Sequence, residues 1–310
     1  MVYFIGSAPA IRLDTTAEHE QTTQAFLYAS VIDGNLSNIF PFPLVKRAGV
    51  WYDERANEQR RIRIDMKIAI IGGTNIETLP IHYREQAVST PYGDVVVFKG
   101  KLKEGNEVIF LSRHGVLYAH DPGDINYRAN IYALHQIGVT HAIGVSSVGA
   151  CDYSLRIGEY CLINDFMDFT KGRPSSFERE HRATLHTGME NVFSESLNTT
   201  LEELIRQHGF PYSGRAIYAC MEGPRFETAA EIRMVRMLGA QVVGQSIVPE
   251  APLCRDLGIE YASIGMITNY CTGMTGAVTD VVIEQVMDEN RADIFELCFD
   301  LIRRMTTYAD

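Results

Sequence analysis

Two patterns of apolar residues alternate along this chain. Continuous apolar runs rich in β-branched residues, typical of buried strands, occupy residues 68–71, 94–98, 107–111, 141–149, 160–164, 216–220 and 261–268, with a short one from 241. Apolar residues recur at helical spacing in residues 126–138, 202–207, after Thr228, after Pro249 and in 280–305. The pattern leaves open whether the last of these helices is interrupted. This alternation predicts an α/β fold with a largely parallel sheet and helices on its faces. Such sheets bind ligands at the carboxyl ends of their strands.

Composition narrows the class of partner. The 310 residues are 46% hydrophobic and 22% charged, as in a soluble globular protein, and the formal net charge of −11 argues against nucleic acid or an anionic membrane. The sequence has no apolar run of about 18 residues and no signal-peptide pattern. Its six cysteines show no metal-binding spacing, so we expect reduced thiols, no metal and a cytoplasmic protein.

Residues 1–65 differ from the rest, because polar stretches alternate there with Phe40-Pro41-Phe42-Pro43 and periodicity is weak. We interpret them as an N-terminal extension of unknown role, preceding a domain at residues 66–310. Met66 lies directly before the first strong strand, so a misassigned upstream start codon is a second hypothesis. The mass of the native protein distinguishes the two.

Three of the predicted strands end in residues suited to an anion. Gly72-Gly73-Thr74 allows backbone N–H groups to surround a phosphate, and Arg113-His114-Gly115 adds a planar cation beside a glycine. Ser146 and Ser147 end the strand at residues 141–149. Alternatively, the glycines form only a tight turn, Arg113 is solvated, and the hydroxyls of Ser146 and Ser147 bond within a turn.

Polar groups of another kind follow two further strands. Asn269 ends the strand at residues 261–268 and offers both a donor and an acceptor. Glu227 and Phe226 lie before a helix whose start shows the capping-box pattern of Thr228 and Glu231. Alternatively, Asn269 is a turn residue, Glu227 is a carboxylate that complements the helix dipole, and Phe226 is a core aromatic. A long irregular stretch containing His181 and His186 is typical of a loop that covers a site.

Seven motifs in one order now resemble a known family. They are Gly72-Gly73-Thr74, Arg113-His114-Gly115, Asn126-Tyr127-Arg128-Ala129-Asn130, Ser146-Ser147-Val148-Gly149, the run from Met221 to Thr228, Val248-Pro249-Glu250 and Ile267-Thr268-Asn269. Together they resemble the trimeric purine nucleoside phosphorylase and methylthioadenosine phosphorylase family over residues 66 to about 305. The resemblance implies a three-layer α/β fold around a twisted mixed sheet, a homotrimer, inorganic phosphate as co-substrate and no cofactor.

The resemblance also implies roles for individual residues. It makes Thr74, Arg113, His114, Ser146 and Ser246 the phosphate site. It places Phe226 against the purine, Glu227 and Asn269 on the base edge, Gln245 under the sugar and His186 near its 5′ end. Asn269, Glu227 and His114 are the expected catalytic residues.

The base edge indicates which purine is used. Family members that take 6-aminopurines carry carboxylates where this chain has Asn269 and Cys271. Here Asn269 can accept from N7–H and donate to a 6-carbonyl, while Glu227 can accept from the N1–H of a 6-oxopurine. The expected reaction is therefore phosphorolysis of methylthioinosine, inosine or guanosine. Methylthioadenosine phosphorolysis, nucleoside hydrolysis and nucleoside binding without turnover stay open.

Two residues depart from the family pattern. Gln245 replaces the usual methionine under the ribose, and Tyr118 replaces a histidine, for which His120 is a candidate substitute. The sequence assigns no role to Gln245.

Overall fold

The structure is a computed structural model that describes residues 66–307, apart from Leu117 and residues 178–185, and the backbone of five short strands within residues 1–65. Those strands are β1 (Val2–Tyr3), β2 (Ile11–Arg12), β3 (Leu44–Arg47), β4 (Val50–Asp53) and β5 (Arg61–Ile64). They pair in the order β1-β2-β5-β4-β3. The predicted role of residues 1–65 and the boundary at residue 66 stay predictions.

Fourteen further elements form the rest of the described chain. The strands are β6 (Ile68–Gly72), β7 (Tyr83–Thr90), β8 (Gly93–Lys101), β9 (Glu107–Ser112), β10 (His141–Ala150), β11 (Tyr160–Asp168), β12 (Tyr212–Cys220), β13 (Val242–Gly244) and β14 (Glu260–Tyr270). The helices are α1 (Tyr127–Gln136), α2 (Glu195–His208), α3 (Ala229–Met237), α4 (Ile247–Asp256) and α5 (Asp280–Thr307).

Nine strands form one mixed sheet in the order β13-β12-β11-β14-β10-β6-β9-β8-β7. Strand β10 runs parallel to β6 and β14, and β6 runs parallel to β9, so the carboxyl ends of these four strands share one edge. Strand β13 also pairs antiparallel with β10, which closes β10, β14, β11, β12 and β13 into a ring. The sheet is therefore less parallel than the alternation of strands and helices predicts.

Both faces of the sheet are covered. Along β6, Ala69 and Ile71 belong to one apolar core, which includes side chains of α1 and α4, whereas Ile68 and Ile70 belong to the other, which includes side chains of α2 and α5. Burial on both faces explains why such strands are continuous apolar runs instead of alternating ones. The result is the predicted three-layer architecture.

Several elements differ from the sequence pattern. Strand β7 was not predicted because it is mostly polar; it is the exposed edge strand, joined to β8 by a hairpin turn at Pro91 and Tyr92. Helix α2 begins seven residues earlier than predicted, with Ser194 as its N-cap. Helix α5 is continuous over 28 residues. The predicted capping box of Thr228 and Glu231 is confirmed at the start of α3.

A β-bulge places Asn269. Val148 pairs with Ile267, but the next residue, Gly149, pairs with Asn269, so Thr268 is an extra residue in β14. Such a bulge re-aims the side chains that follow it. Gly149 leaves the necessary space, since a Cβ there would lie 3.2 Å from Asn269 Nδ2 and 2.8 Å from Cys271 Sγ.

Candidate active site

A cavity of about 500 Å³ lies at the shared carboxyl edge of β6, β10 and β14. Its wall contains seven of the ten residues predicted from the sequence to form the site, although they come from five separate parts of the chain: Thr74, His114, Phe226, Glu227, Gln245, Ser246 and Asn269. Ligand sites commonly occupy about 300–1,000 Å³. The cavity can therefore accommodate a nucleoside-sized molecule.

Arg113 lies behind this wall and is only 1% exposed. Its Nε and Nη2 donate to the two carboxylate oxygens of Glu250 at 2.7 and 2.8 Å, and Nη1 donates to the carbonyl of Val145 at 2.7 Å. Burial by itself would lower the pKa of Arg113, but the carboxylate of Glu250 raises it, so the guanidinium stays charged. Nη1 lies close to Gly73, where a Cβ would be 2.6 Å away.

Glu250 is itself held by a second partner. It is 1% exposed, and the hydroxyl of Tyr261 donates to its Oε1 at 2.5 Å. The buried arginine charge is thus fully compensated in a network of hydrogen bonds, which is the condition under which buried ion pairs are tolerated.

His114 is a neutral imidazole in this structure. Burial lowers its pKa from 6.5 to about 4, which outweighs the opposite effect of its hydrogen bond with His120. His114 Nδ1 lies 2.9 Å from the carbonyl oxygen of His120. Because a carbonyl only accepts, Nδ1 carries the hydrogen and Nε2 is left as an acceptor.

Tyr118 covers this imidazole. Its ring stacks on the His114 ring with centroids 4.0 Å apart and 13° between planes, and its hydroxyl lies 3.5 Å from Thr74 Oγ1. The residue has a φ of 54°, in the left-handed region, which side chains other than glycine rarely adopt. Tyr118 lines the cavity and His120 does not, so Tyr118 itself occupies the position for which His120 was a candidate.

The two serines of the predicted site, Ser146 and Ser246, lie at different depths. Ser246 lines the cavity at the N-cap of α4, where its side chain makes no capping bond. Ser146 is 3% exposed and does not line the cavity, and its hydroxyl has no hydrogen-bond partner among the described residues. Its neighbour Ser147 does line the cavity.

The carboxamide of Asn269 is held by its neighbours in sequence. Thr268 Oγ1 donates to Asn269 Oδ1 at 2.8 Å, and Asn269 Nδ2 donates to the carbonyl of Tyr270 at 3.1 Å. A carboxamide has two N–H hydrogens and two oxygen lone pairs. Asn269 therefore keeps one donor and one acceptor for a ligand.

Glu227 faces the cavity from the loop before α3 and is 9% exposed. Burial raises the pKa of its carboxyl group, while hydrogen bonds from its own backbone and from Gln245 act in the opposite direction. Gln245 Nε2 lies 3.4 Å from Glu227 Oε1 and 3.1 Å from the carbonyl of Arg225. Phe226 adds an aromatic surface to the same wall.

His186 is the third predicted residue, with Arg113 and Ser146, that does not line the cavity. It is exposed and does not contribute to the cavity wall. It follows residues 178–185, which include His181 and lie outside the described residues.

Residues 67–303 match the sequence pattern of the phosphorylase superfamily. The chain belongs to this superfamily. A 6-oxopurine nucleoside phosphorylase from Pyrococcus furiosus is 38% identical over 239 residues, which cover 74% of this chain and 90% of that protein. A Methanothermobacter thermautotrophicus protein named "Probable S-methyl-5'-thioinosine phosphorylase" is 37% identical over 247 residues, covering 77% of this chain and 85% of that one.

A solved structure confirms the fold of this phosphorylase-superfamily chain. A double mutant of the adenosine/methylthioadenosine phosphorylase from Schistosoma mansoni, in complex with adenine, superposes with a TM-score of 0.73 at 24% identity. The superposition covers 78% of this chain and 93% of that one. The predicted family and fold class are both confirmed.

Two residues of this superfamily member were missed by sequence reasoning. Glu250 was noted only as part of a motif, because nothing in the sequence shows its contact with Arg113, 137 positions away. Arg173 was not singled out at all. Its side chain is 3% exposed, and Nη1 donates to the carbonyl oxygens of Gln245 at 2.7 Å and Val248 at 3.1 Å.

Arg173 joins the two loops that form one side of the cavity. Besides the carbonyls of Gln245 and Val248, it contacts Glu222 twice, by a hydrogen bond from Nη2 to the carbonyl and an Nε to Oε2 distance of 3.4 Å. Its guanidinium also lies over the ring of Tyr127, 5.7 Å from the centroid. A basic residue between Gly172 and Pro174 was the signal available in the sequence.

Among the described residues, no group of three or more histidine, cysteine or acidic side chains is arranged to hold a metal ion. None of the described helices is both long and apolar enough to cross a membrane.

Proposed function

We propose that this protein is a pentosyltransferase that catalyses the phosphorolysis of 6-oxopurine nucleosides. Inorganic phosphate attacks C1′ of the sugar, the bond from C1′ to N9 breaks, and its electron pair leaves with the base. The products are free purine and ribose 1-phosphate, or its 5-methylthio analogue. One observation carries the proposal: Asn269 and Glu227 line the same cavity as Thr74, His114 and Ser246.

The leaving base is stabilised by Asn269 and Glu227. Negative charge moves into the ring as the base leaves, and N7 becomes protonated. The free acceptor of Asn269 accepts a hydrogen bond from this N7–H, and its free donor binds the 6-carbonyl. Glu227 accepts from N1–H, which adenine lacks. Phe226 packs against the face of the purine.

The phosphate lies on the other side of the sugar. The hydroxyls of Thr74 and Ser246 donate to it, and Nε2 of neutral His114 accepts a hydrogen bond from the P–OH group of monohydrogen phosphate. Arg113 approaches from behind the Gly72-Gly73 turn, where the second hydrogen of Nη1 is available. Arg113, Ser146 and His186 keep their predicted phosphate and sugar roles only as proposals, because none of the three lines the cavity.

The names of the relatives support this assignment. The Pyrococcus furiosus and Methanothermobacter thermautotrophicus proteins are named for 6-oxopurine nucleosides and for methylthioinosine, and both names specify a purine with a 6-carbonyl group. They differ in the sugar. In this chain the start of α5 and the residues just before it bring both kinds of side chain to the cavity, since Asp280 and Glu284 suit a 5′-hydroxyl and Val278 and Ile283 suit a methylthio group.

A panel of nucleosides tests the proposal. Inosine, guanosine, adenosine, methylthioinosine and methylthioadenosine are each incubated with and without phosphate, and the release of free base is followed. We expect phosphate-dependent release from the 6-oxopurine nucleosides. Preference for methylthioadenosine would contradict the assigned base edge, and release independent of phosphate would indicate a hydrolase. Thermal stabilisation by the nucleosides without any base release would indicate a binding protein.

The assembly and setting are part of the same proposal. We expect a cytoplasmic homotrimer in purine salvage that needs no cofactor. Exposed apolar side chains, such as Met237 at 82% and Leu238 at 56%, suit contact between subunits. Light scattering on the full chain measures the oligomeric state, and a monomer would contradict the trimer.

A further inference from the structure

Gln245 lies where the two halves of the cavity meet. It follows β13, directly precedes the phosphate-side residue Ser246, and lines the cavity together with the base-edge residue Glu227. No role for this glutamine follows from the sequence, and the family pattern has an apolar methionine at its position. Its contacts in the fold are specific.

The side chain of Gln245 is directed at the loop that carries Glu227. Its Nε2 lies 3.1 Å from the carbonyl of Arg225 and 3.4 Å from Glu227 Oε1. Gly223 makes this packing possible, because its φ is 70° and a Cβ there would lie 2.2 Å from Gln245 Oε1. The backbone is fixed as well, since Arg173 donates to the Gln245 carbonyl at 2.7 Å.

The bond to Glu227 matters because that carboxyl group is buried. Burial favours the neutral acid, while an N–H donor favours the carboxylate, so Gln245 acts against the rise in the pKa of Glu227. The other charged groups near Glu227 are Arg225 and Glu231, which pair with each other at 2.8 and 2.9 Å. Directly after β14, Cys271 faces it as a neutral thiol, because burial raises the pKa of that thiol.

The protonation state of Glu227 decides which purine fits. A carboxylate only accepts, so it binds the N1–H of a 6-oxopurine, whereas a neutral carboxylic acid can donate to the bare N1 of a 6-aminopurine. A donor on Oε1 also restricts rotation of the carboxylate. Methionine has a similar length and no N–H, so it cannot replace Gln245 in this role.

We propose that Gln245 is a positioning residue that holds the carboxylate of Glu227 as the acceptor for N1–H and so sets the preference for 6-oxopurines. This inference rests on the proposed function. It assigns the preference to the hydrogen-bonded pair of Gln245 and Glu227, with Asn269 as the partner at N7 and the 6-carbonyl.

The test compares Gln245→Met with the wild-type enzyme on inosine and adenosine. We expect kcat/KM for inosine to fall about tenfold, in the range for loss of a hydrogen bond to a charged group, with adenosine nearly unaffected. The acidic limb of the inosine pH profile should move to higher pH, because Glu227 loses a donor. Gln245→Glu should move it further, since a second carboxylate repels the first.

Two controls separate this role from a structural one. Gln285→Met removes a glutamine that donates to Glu289 at 2.9 Å on the exposed surface of α5, and it should leave the pH profile unchanged. In a Glu227→Gln background, Gln245→Met should cause no further loss on inosine, because the carboxylate on which it acts is gone.

The outcomes are distinct. The inference would be overturned if Gln245→Met leaves both the acidic limb of the pH profile and the ratio of kcat/KM for inosine to that for adenosine unchanged. It would also be overturned if Gln245→Met lowers kcat/KM for inosine as much in the Glu227→Gln background as in the wild type. If Gln245→Met does not fold, Gln245→Glu gives the same pH comparison. A wild-type enzyme that releases no base from inosine with phosphate would instead refute the proposed function.

Discussion

Replacing Glu250 by glutamine removes the charge that compensates the buried guanidinium of Arg113. Both residues are 1% exposed, and the carboxylate accepts two N–H bonds at 2.7 and 2.8 Å. Glutamine keeps the shape but has one acceptor oxygen, so one guanidinium nitrogen faces an NH₂ group and the positive charge is left buried without its counter-ion. Breaking a buried pair in this way costs about 3–5 kcal/mol. This is a large part of the ~5–15 kcal/mol stability of a typical domain.

The assay is unfolding in urea and by heat. At about 2–4 °C per kcal/mol for a domain of this size, Glu250→Gln should lower Tm by roughly 10 °C. The matched control is Glu195→Gln, which breaks the bidentate pair of Glu195 with Arg215 on the surface, where the Glu195 side chain is 68% exposed. Exposed pairs contribute little, so Tm should hardly change.

A second comparison checks the physical cause. If the unpaired charge is what destabilises the protein, removing both charges in Arg113→Met with Glu250→Gln should cost less than Glu250→Gln alone. The reasoning is refuted if Glu250→Gln unfolds at the wild-type urea concentration, or if the double variant is the less stable of the two.

Three further predictions concern the site. Asn269→Ala should lower kcat/KM on inosine by about 10²–10³, the usual effect of losing one donor that stabilises developing charge, and full activity would contradict its role. Asn269→Asp should raise activity on adenosine relative to inosine, and an unchanged ratio would argue against the assigned edge. Unfolded His114 takes up a proton near pH 6.5 but folded His114 only near 4, so stability falls as pH drops through that window, by up to about 3 kcal/mol. The difference in the free energy of unfolding between wild type and His114→Gln should therefore shrink from pH 7 to 4, as measured by urea unfolding. A difference that stays constant over this pH range would contradict the prediction.

Much of the fold was predictable because its determinants are local. Strand β14 and residue Asn269 at its end follow from a continuous apolar run with one polar residue after it, and the capping box at Thr228 needs only two residues three positions apart. The polar strand β7 could not be recognised in the same way. Its pairing with β8 supplies the backbone hydrogen bonds, and its side chains carry little apolar pattern.

Most residues of the candidate site were predictable from the sequence, but their contacts and protonation states were not. The sequence places Arg113 and His114 at a strand end, yet it cannot show that Glu250 and Tyr261 enclose the guanidinium or that the carbonyl of His120 keeps the hydrogen of the imidazole on Nδ1. Those contacts join positions far apart in the chain or depend on the path of a loop. Arg173 shows the same limit, because its partners are backbone carbonyls, which every residue carries.

The central claim, that this cavity transfers the sugar of a 6-oxopurine nucleoside to phosphate, is tested most directly by product stoichiometry. The full chain is incubated with inosine and phosphate, hypoxanthine is followed by absorbance, and the sugar phosphate by ³¹P NMR. We predict one equivalent of ribose 1-phosphate for each hypoxanthine released, and no release when phosphate is omitted. Hypoxanthine formed at the same rate without phosphate, with free ribose as the second product, would contradict the claim.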